Sequence, residues 1–206
     1  GQRFISGTQA SLEAQLTNLA DEIAYNAHDV DDGVRSGLIT LGQLREVPLV
    51  ERFVTEALDA HPGLRAMPTR RVLAETIRRM LSAQVYDVID TTRGALSALA
   101  PRSADEARQH DGLVGFGDNM RRASAELKRF LFAHLYRHPQ VMETTSQARR
   151  IVADLFAIYM GRPAEMPDEF GQADDPSRAV ADYIAGMTDR FALREHERLT
   201  GRRLLT

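Results

Sequence analysis

Apolar residues recur at spacings of three and four along nearly the whole chain, and strand-like alternation is hard to find. Leu12, Leu16, Leu19 and Ile23 open the pattern and predict one apolar face of a helix that continues through Asp31-Asp32-Gly33. A second helix is predicted over 49–60, stopped by His61-Pro62-Gly63 and Met67-Pro68. Pro68-Thr69 then opens a long helix over 69–99, in which Val72, Ile77, Leu81, Val85 and Ile89 are expected to form a buried stripe. Ser103-Ala104-Asp105-Glu106 has the form of a capping box for a short helix. A turn-rich segment follows over 110–117, then a helix to about Arg137 with Phe130, Leu131 and Leu135 on its core face. His138-Pro139 breaks the chain before another helix to Tyr159. Residues 161–176 hold three of the eight prolines and read as a surface loop. Asp175-Pro176 caps a last helix, expected to run unbroken to about Leu199. The expected fold is all-α, a multi-helix, bundle-like region spanning 1–206 as a single domain without internal repeats.

Composition narrows this picture only a little. Apolar content of 43 % and charged content of 27 % are those of an ordinary globular chain. Cysteine is absent, which removes disulfides, thiolate nucleophiles and cysteine-based zinc sites. No apolar run approaches the ~18 residues of a membrane span, so the expectation is a cytoplasmic protein without a membrane partner. The net charge of −3 argues against a wholesale nucleic-acid-binding surface. Arg70, Arg71, Arg78 and Arg79 nevertheless make two basic clusters on the long helix. Such a face could hold an effector nucleotide or single-stranded nucleic acid, although a solvated helix face is the commoner role. Lys128 is the only lysine in an arginine-rich chain.

The chemistry-bearing pattern lies in the first helix. Asp21, Tyr25 and Asp29 are spaced i, i+4, i+8 and form a polar stripe, since at ~100° per residue they drift only ~80° in total. His28 sits seven residues after Asp21 on the same side, as a structural hydrogen-bonding group or one that orients a phosphate or water. Further on, Lys128 and Tyr136 lie eight residues apart on one predicted helix, with Arg129 and His134 near them. Asp189 and Arg190 could form an ion pair locking the last helix or touch an oligomer interface. There is no Ser/His/Asp or Cys/His arrangement, and Gly112–Gly117 lacks the strand-to-helix context of a phosphate-binding loop.

Three segments carry a resemblance. Residues 19–33 read LADEIAYNAHDVDDG, residues 127–139 read LKRFLFAHLYRHP, and residues 182–192 read DYIAGMTDRFA. In that order they resemble segments of the deoxyguanosine triphosphate triphosphohydrolases, a branch of the HD-domain phosphohydrolases. The family's first histidine and its His-Asp dyad belong to segments upstream of the first match, and neither has a counterpart here. His28-Asp29 is not that dyad, because it follows the last metal aspartate. The resemblance therefore implies the C-terminal half of an HD-type enzyme, with the upstream helices carrying the remaining ligands missing.

The resemblance implies that Asp21 is the last ligand of a divalent metal (magnesium, manganese or similar), held in the complete enzyme by two His and two Asp. Tyr25 and Asp29 would bind the deoxyribose, and Lys128 and Tyr136 would sit by the phosphates or base. The implied reaction converts a deoxynucleoside triphosphate, typically dGTP, to deoxynucleoside and tripolyphosphate, in a homo-oligomer. This chain alone is expected to be inactive and to hold metal weakly or not at all. The alternative is a non-catalytic helical regulatory or oligomerisation module. A helical transcription regulator ranks last, because Asp21, Glu22, Asp29, Asp31 and Asp32 would repel DNA phosphates.

Overall fold

In a computed structural model, residues 7–171 and 174–204 are described, and among them there is no strand. The helices are α1 (Leu12–Arg35), α2 (Leu41–Leu44), α3 (Pro48–Ala60), α4 (Thr69–Leu99), α5 (Ala104–Ala107), α6 (Asp118–Leu131), α7 (Pro139–Gly161), α8 (Asp168–Gly171), α9 (Pro176–Ala185) and α10 (Asp189–Thr200). The chain forms two compact units, one ending at Arg137 and one beginning at His138. None of the described helices is long and apolar enough to cross a membrane.

In the first unit α4 packs against α3 and α1, and α6 packs against α1 and α3. The core is built from Ile23 and Val30 of α1, Val50, Phe53 and Val54 of α3, Leu73, Met80 and Val88 of α4, and Leu127 and Leu131 of α6. Gly33 allows the chain to close back on α1: a Cβ there would lie 2.9 Å from Ile39 Cδ1 and 3.6 Å from Leu135 Cδ1. Two polar residues are part of this core. Gln84 Nε2 of α4 donates to Ser124 Oγ of α6 at 3.0 Å, both side chains being buried. The start of α6 has no side-chain cap of its own. Asp87 of α4 supplies one, accepting from Gly117 N–H at 2.8 Å. A carboxylate at a helix N-terminus also complements the helix dipole, so Asp87 fixes where the helix carrying Lys128 begins.

The expected stripe on α4 is corrected in its second half. Val85 and Ile89 are 44 % and 40 % exposed, whereas Thr76, Met80, Gln84 and Val88 point inward. At ~100° per residue Ile89 lies a quarter-turn or more from Val88, and on a helix of this length apolar residues occupy more than the core-facing side. Leu16 of α1, expected in the core, is likewise 48 % exposed. With Leu19, Leu81, Val85 and Ile89 it lines an almost wholly apolar groove between α1 and α4.

The basic clusters on α4 are partly neutralised. Glu75 binds Arg78 and Arg79 at 2.7 Å each, and these contacts, Arg78 first, pull its carboxyl down to about 2. Ser103 Oγ accepts from Glu106 N–H as the capping box requires, but Glu106 reaches back to Arg102 N–H rather than to the cap residue.

In the second unit α7 packs on α9 and α10 around Ile151, Leu155, Tyr159, Met166 and Val180. Two expectations change here. The proline-rich segment is not a plain surface loop, because it contains a 3-10 turn (Pro163–Glu165) and α8, and it buries Met166. The last helix is also two helices. Gly186 ends α9, and Thr188 begins α10 by accepting from Phe191 N–H at 3.3 Å. A hydroxyl that caps the backbone competes with continuing the helix.

Candidate functional site

One cavity of about 550 Å³ lies between α1 and the C-terminal end of α6. Asp21, Tyr25 and Asp29 line it from α1, and Lys128 and Tyr136 line it from the other side. All five residues singled out from sequence thus meet in one place, although the two segments lie about a hundred residues apart. The polar stripe on α1 turns toward the cavity because Ile23, Ala27 and Val30 occupy the core-facing side of the same helix.

The second wall departs from a regular helix. After Leu131 the chain makes a π turn over Phe132–Tyr136, in which Arg137 N–H donates to Phe132 O at 3.0 Å, five residues back. Such wide turns are uncommon and are found often at functional sites. Here the turn carries Phe132 and Tyr136, both cavity-lining, while Leu135 stays in the core.

The charged groups in the cavity are mostly paired with one another. The Tyr136 hydroxyl donates to the Asp29 carboxylate. That hydrogen bond, aided by partial burial and by the charge of Asp29, pushes the Tyr136 phenol up to about 12. Lys128 Nζ lies 2.8 Å from Glu22 Oε1, with both side chains partly exposed. Asp21 and Tyr25 have no hydrogen-bond or ion-pair partner among the described residues, and Tyr25 is exposed.

Sequence reasoning missed three contributors to this site. Glu22 was visible only as one charge in an acidic run, yet it is the partner of the chain's single lysine. Phe132 forms an exposed apolar wall. Asn26 is 5 % exposed, and its side-chain Nδ2 is buried with no hydrogen-bond partner among the described residues. An asparagine on the core-facing side of α1 was the available signal.

Other candidates fall outside the cavity. His28 is exposed and does not line it. His134 Nδ1 contacts Phe130 O at 3.0 Å and the ring stacks on Phe130, which gives it a local structural role. Asp189 and Arg190 make no ion pair among the described residues; Asp189 occupies the first turn of α10, where its charge suits the helix dipole.

The donor set limits what this chain could do with a metal ion. Among the described residues no three His, Cys, Asp or Glu side chains are grouped so as to hold one. Among the described residues Asp21 offers one unpaired carboxylate at the cavity, whereas a firmly bound transition metal needs several ligands. The residues present therefore do not make a metal site by themselves.

Comparison with known proteins shows what this chain is similar to. A family model for the phosphohydrolase-associated domain matches residues 114–198. Proteins named deoxyguanosinetriphosphate triphosphohydrolase-like are similar to this chain throughout. The one from Ralstonia nicotianae is 52 % identical over 97 % of this chain and 51 % of its own length. Those from Bordetella pertussis and Thiobacillus denitrificans are 50 % and 48 % identical over 97 % of this chain, and 52 % and 53 % of their own lengths. The chain spans about half the length of the curated relatives it matches. Over that half-length the chain resembles the deoxyguanosinetriphosphate triphosphohydrolase-like proteins, and its residues 114–198 match the phosphohydrolase-associated domain.

Proposed function

We propose that this chain is the C-terminal part of a metal-dependent deoxynucleoside triphosphate triphosphohydrolase, acting on dGTP or a related nucleotide and releasing the deoxynucleoside and tripolyphosphate. One observation carries the reading: Asp21, Tyr25, Asp29, Lys128 and Tyr136 line a single cavity of a size suited to a small molecule. The relatives' names supply the substrate class.

In this reading the cavity works through its own residues as follows. Tyr136 occupies one oxygen of Asp29, leaving the second free to accept a hydrogen bond from a sugar hydroxyl. Tyr25 stands one turn away on α1 and gives a flat, exposed face against which a deoxyribose packs. Preference for deoxyribose follows if that face leaves no room for a 2′-hydroxyl. Lys128 presents a compact positive charge to the phosphates, once they displace Glu22. In this reading Asp21 would be one ligand of a divalent ion, with the others contributed by protein beyond this chain. When bound, the ion supplies Lewis-acid activation of water and phosphate.

The apolar groove between α1 and α4 supports the same reading. Leu16, Val85 and Ile89 leave a surface that further helical protein would cover. The decisive experiment measures tripolyphosphate release from dGTP with manganese, using the longer polypeptide, wild type against Asp21→Ala. The proposal expects activity that is lost in the mutant at unchanged helical content. Equal activity would remove Asp21 from the metal site. The 206-residue chain alone is expected to be inactive.

A further inference from the structure

The second unit holds a pocket of about 440 Å³ that the proposed reaction does not use. Arg190 and Arg194, four residues apart on α10, line it together with Arg203 from the segment after that helix. None of the three makes an ion pair or hydrogen bond through its side chain with the described residues. Arg198 on the same helix behaves in the opposite way. It is held at 2.6 Å by Glu195 and at 2.9 Å by Glu165, and these contacts raise its pKa. Among the described residues, Arg190 and Arg194 are therefore left bare on a helix that elsewhere pairs its charge, and Arg203 is left bare just after it.

The floor is built. His196 is 1 % exposed and lines the pocket. Its Nε2 lies 3.0 Å from Asp154 Oδ2 of α7, and its Nδ1 faces Thr200 Oγ1 at 3.5 Å. The Thr200 hydroxyl proton is already given to His196 O at 2.7 Å, so that oxygen meets the ring as an acceptor. Ile151 and Leu193 supply apolar surface beside it, and Glu197 is the one acidic residue in the lining. Three guanidinium forks against one carboxylate leave an excess of positive charge in a concave, partly apolar setting, where attraction for an anion is stronger than on an open surface.

We propose that this pocket binds a phosphate-chain anion, either an inorganic polyphosphate or the polyphosphate part of a nucleotide. Planar guanidinium forks match phosphate oxygens two at a time. A pocket of this volume suits a small ligand. The lining offers no exposed aromatic platform of the kind on which single-stranded nucleic acid stacks.

The test is calorimetric titration of the 206-residue chain carrying Lys128→Gln, which removes the phosphate contact proposed for the first unit. Tripolyphosphate and a deoxynucleoside triphosphate are the two probes. The expected result is binding that Arg194→Gln and Arg203→Gln each weaken about tenfold. Arg178→Gln should leave it unchanged, because that exposed arginine is paired with Asp182 and lies outside the pocket. Equal affinity for the two probes would assign the site to the phosphate chain alone, and tighter binding of the nucleotide would assign it to nucleotides; both support the proposal. Absence of binding, an equal effect of Arg178→Gln, or binding of a single-stranded oligonucleotide in place of both probes would overturn it. Circular dichroism of each variant guards against loss of fold.

Discussion

The cavity of the first unit and the arginine pocket of the second both gather charge, but they hold it differently. In the cavity Lys128 faces Glu22 and Tyr136 faces Asp29, so a ligand must displace partners already in place. In the pocket Arg190, Arg194 and Arg203 have no such partners among the described residues, and an anion meets them without displacing a paired side chain there. Pairing of this kind costs some affinity and holds the groups in position before the ligand arrives. The bare arginines bring attraction without that preorganisation, so ionic strength should weaken binding in the pocket more than in the cavity.

Substitution of Asp21 separates the two sites most sharply. In the longer polypeptide, Asp21→Ala is expected to lower tripolyphosphate release by at least a hundredfold, roughly, since loss even of groups that merely support metal ligands costs 10- to 100-fold. The same substitution should leave tripolyphosphate affinity at the arginine pocket unchanged, read by calorimetry in the Lys128→Gln background. A parallel loss at both would mean that the two sites are not independent.

Titration of the phenols tests the pairing inside the cavity. Tyr136 is expected to ionise near 12 rather than at the usual 10.0. Because its folded value lies above the ordinary one, the stability contributed by the hydrogen bond to Asp29 is complete below about pH 10 and fades as pH rises toward about 12. Asp29→Asn should move the transition back toward 10.0, followed by phenolate absorbance against a Tyr136→Phe control. An unmoved transition would mean that burial, not the carboxylate, holds the proton.

Smaller still is the effect expected of Glu22→Gln. It frees Lys128 and should tighten binding of tripolyphosphate in the cavity by about two- to fivefold, the scale of one partly exposed ion pair. Calorimetry in an Arg194→Gln, Arg203→Gln background isolates that effect. Weaker binding would show that Glu22 positions the lysine rather than competing for it.

Much of the fold was legible from local signals. The long helix occupies Thr69–Leu99 as its periodicity and flanking prolines indicated. Asp175 caps α9 by accepting from Arg178 N–H, and His138-Pro139 opens α7. The division of the last helix was also written locally, in Gly186 and Thr188, but the apolar spacing across them suggested continuity. The buried side of α4 was less legible, because Val85 and Ile89 are as apolar as Val88 while Gln84 and Thr76 read as surface residues. The site residues on α1 shared a visible stripe, whereas their meeting with Lys128 and Tyr136 rested on resemblance to a family.

Helix positions, their caps and breaks, and the polar stripe of Asp21, Tyr25 and Asp29 were determined by the sequence itself, because each depends on residues within a turn or two of one another. The tertiary structure decided the rest. It chose the side of α4 that enters the core, placed Asp87 at the start of α6, paired Lys128 with Glu22 and Asp29 with Tyr136, and left three arginines beside His196 without partners among the described residues. Those outcomes depend on which helix faces join and on contacts between residues distant in sequence, where spacing along the chain carries no information about distance in space.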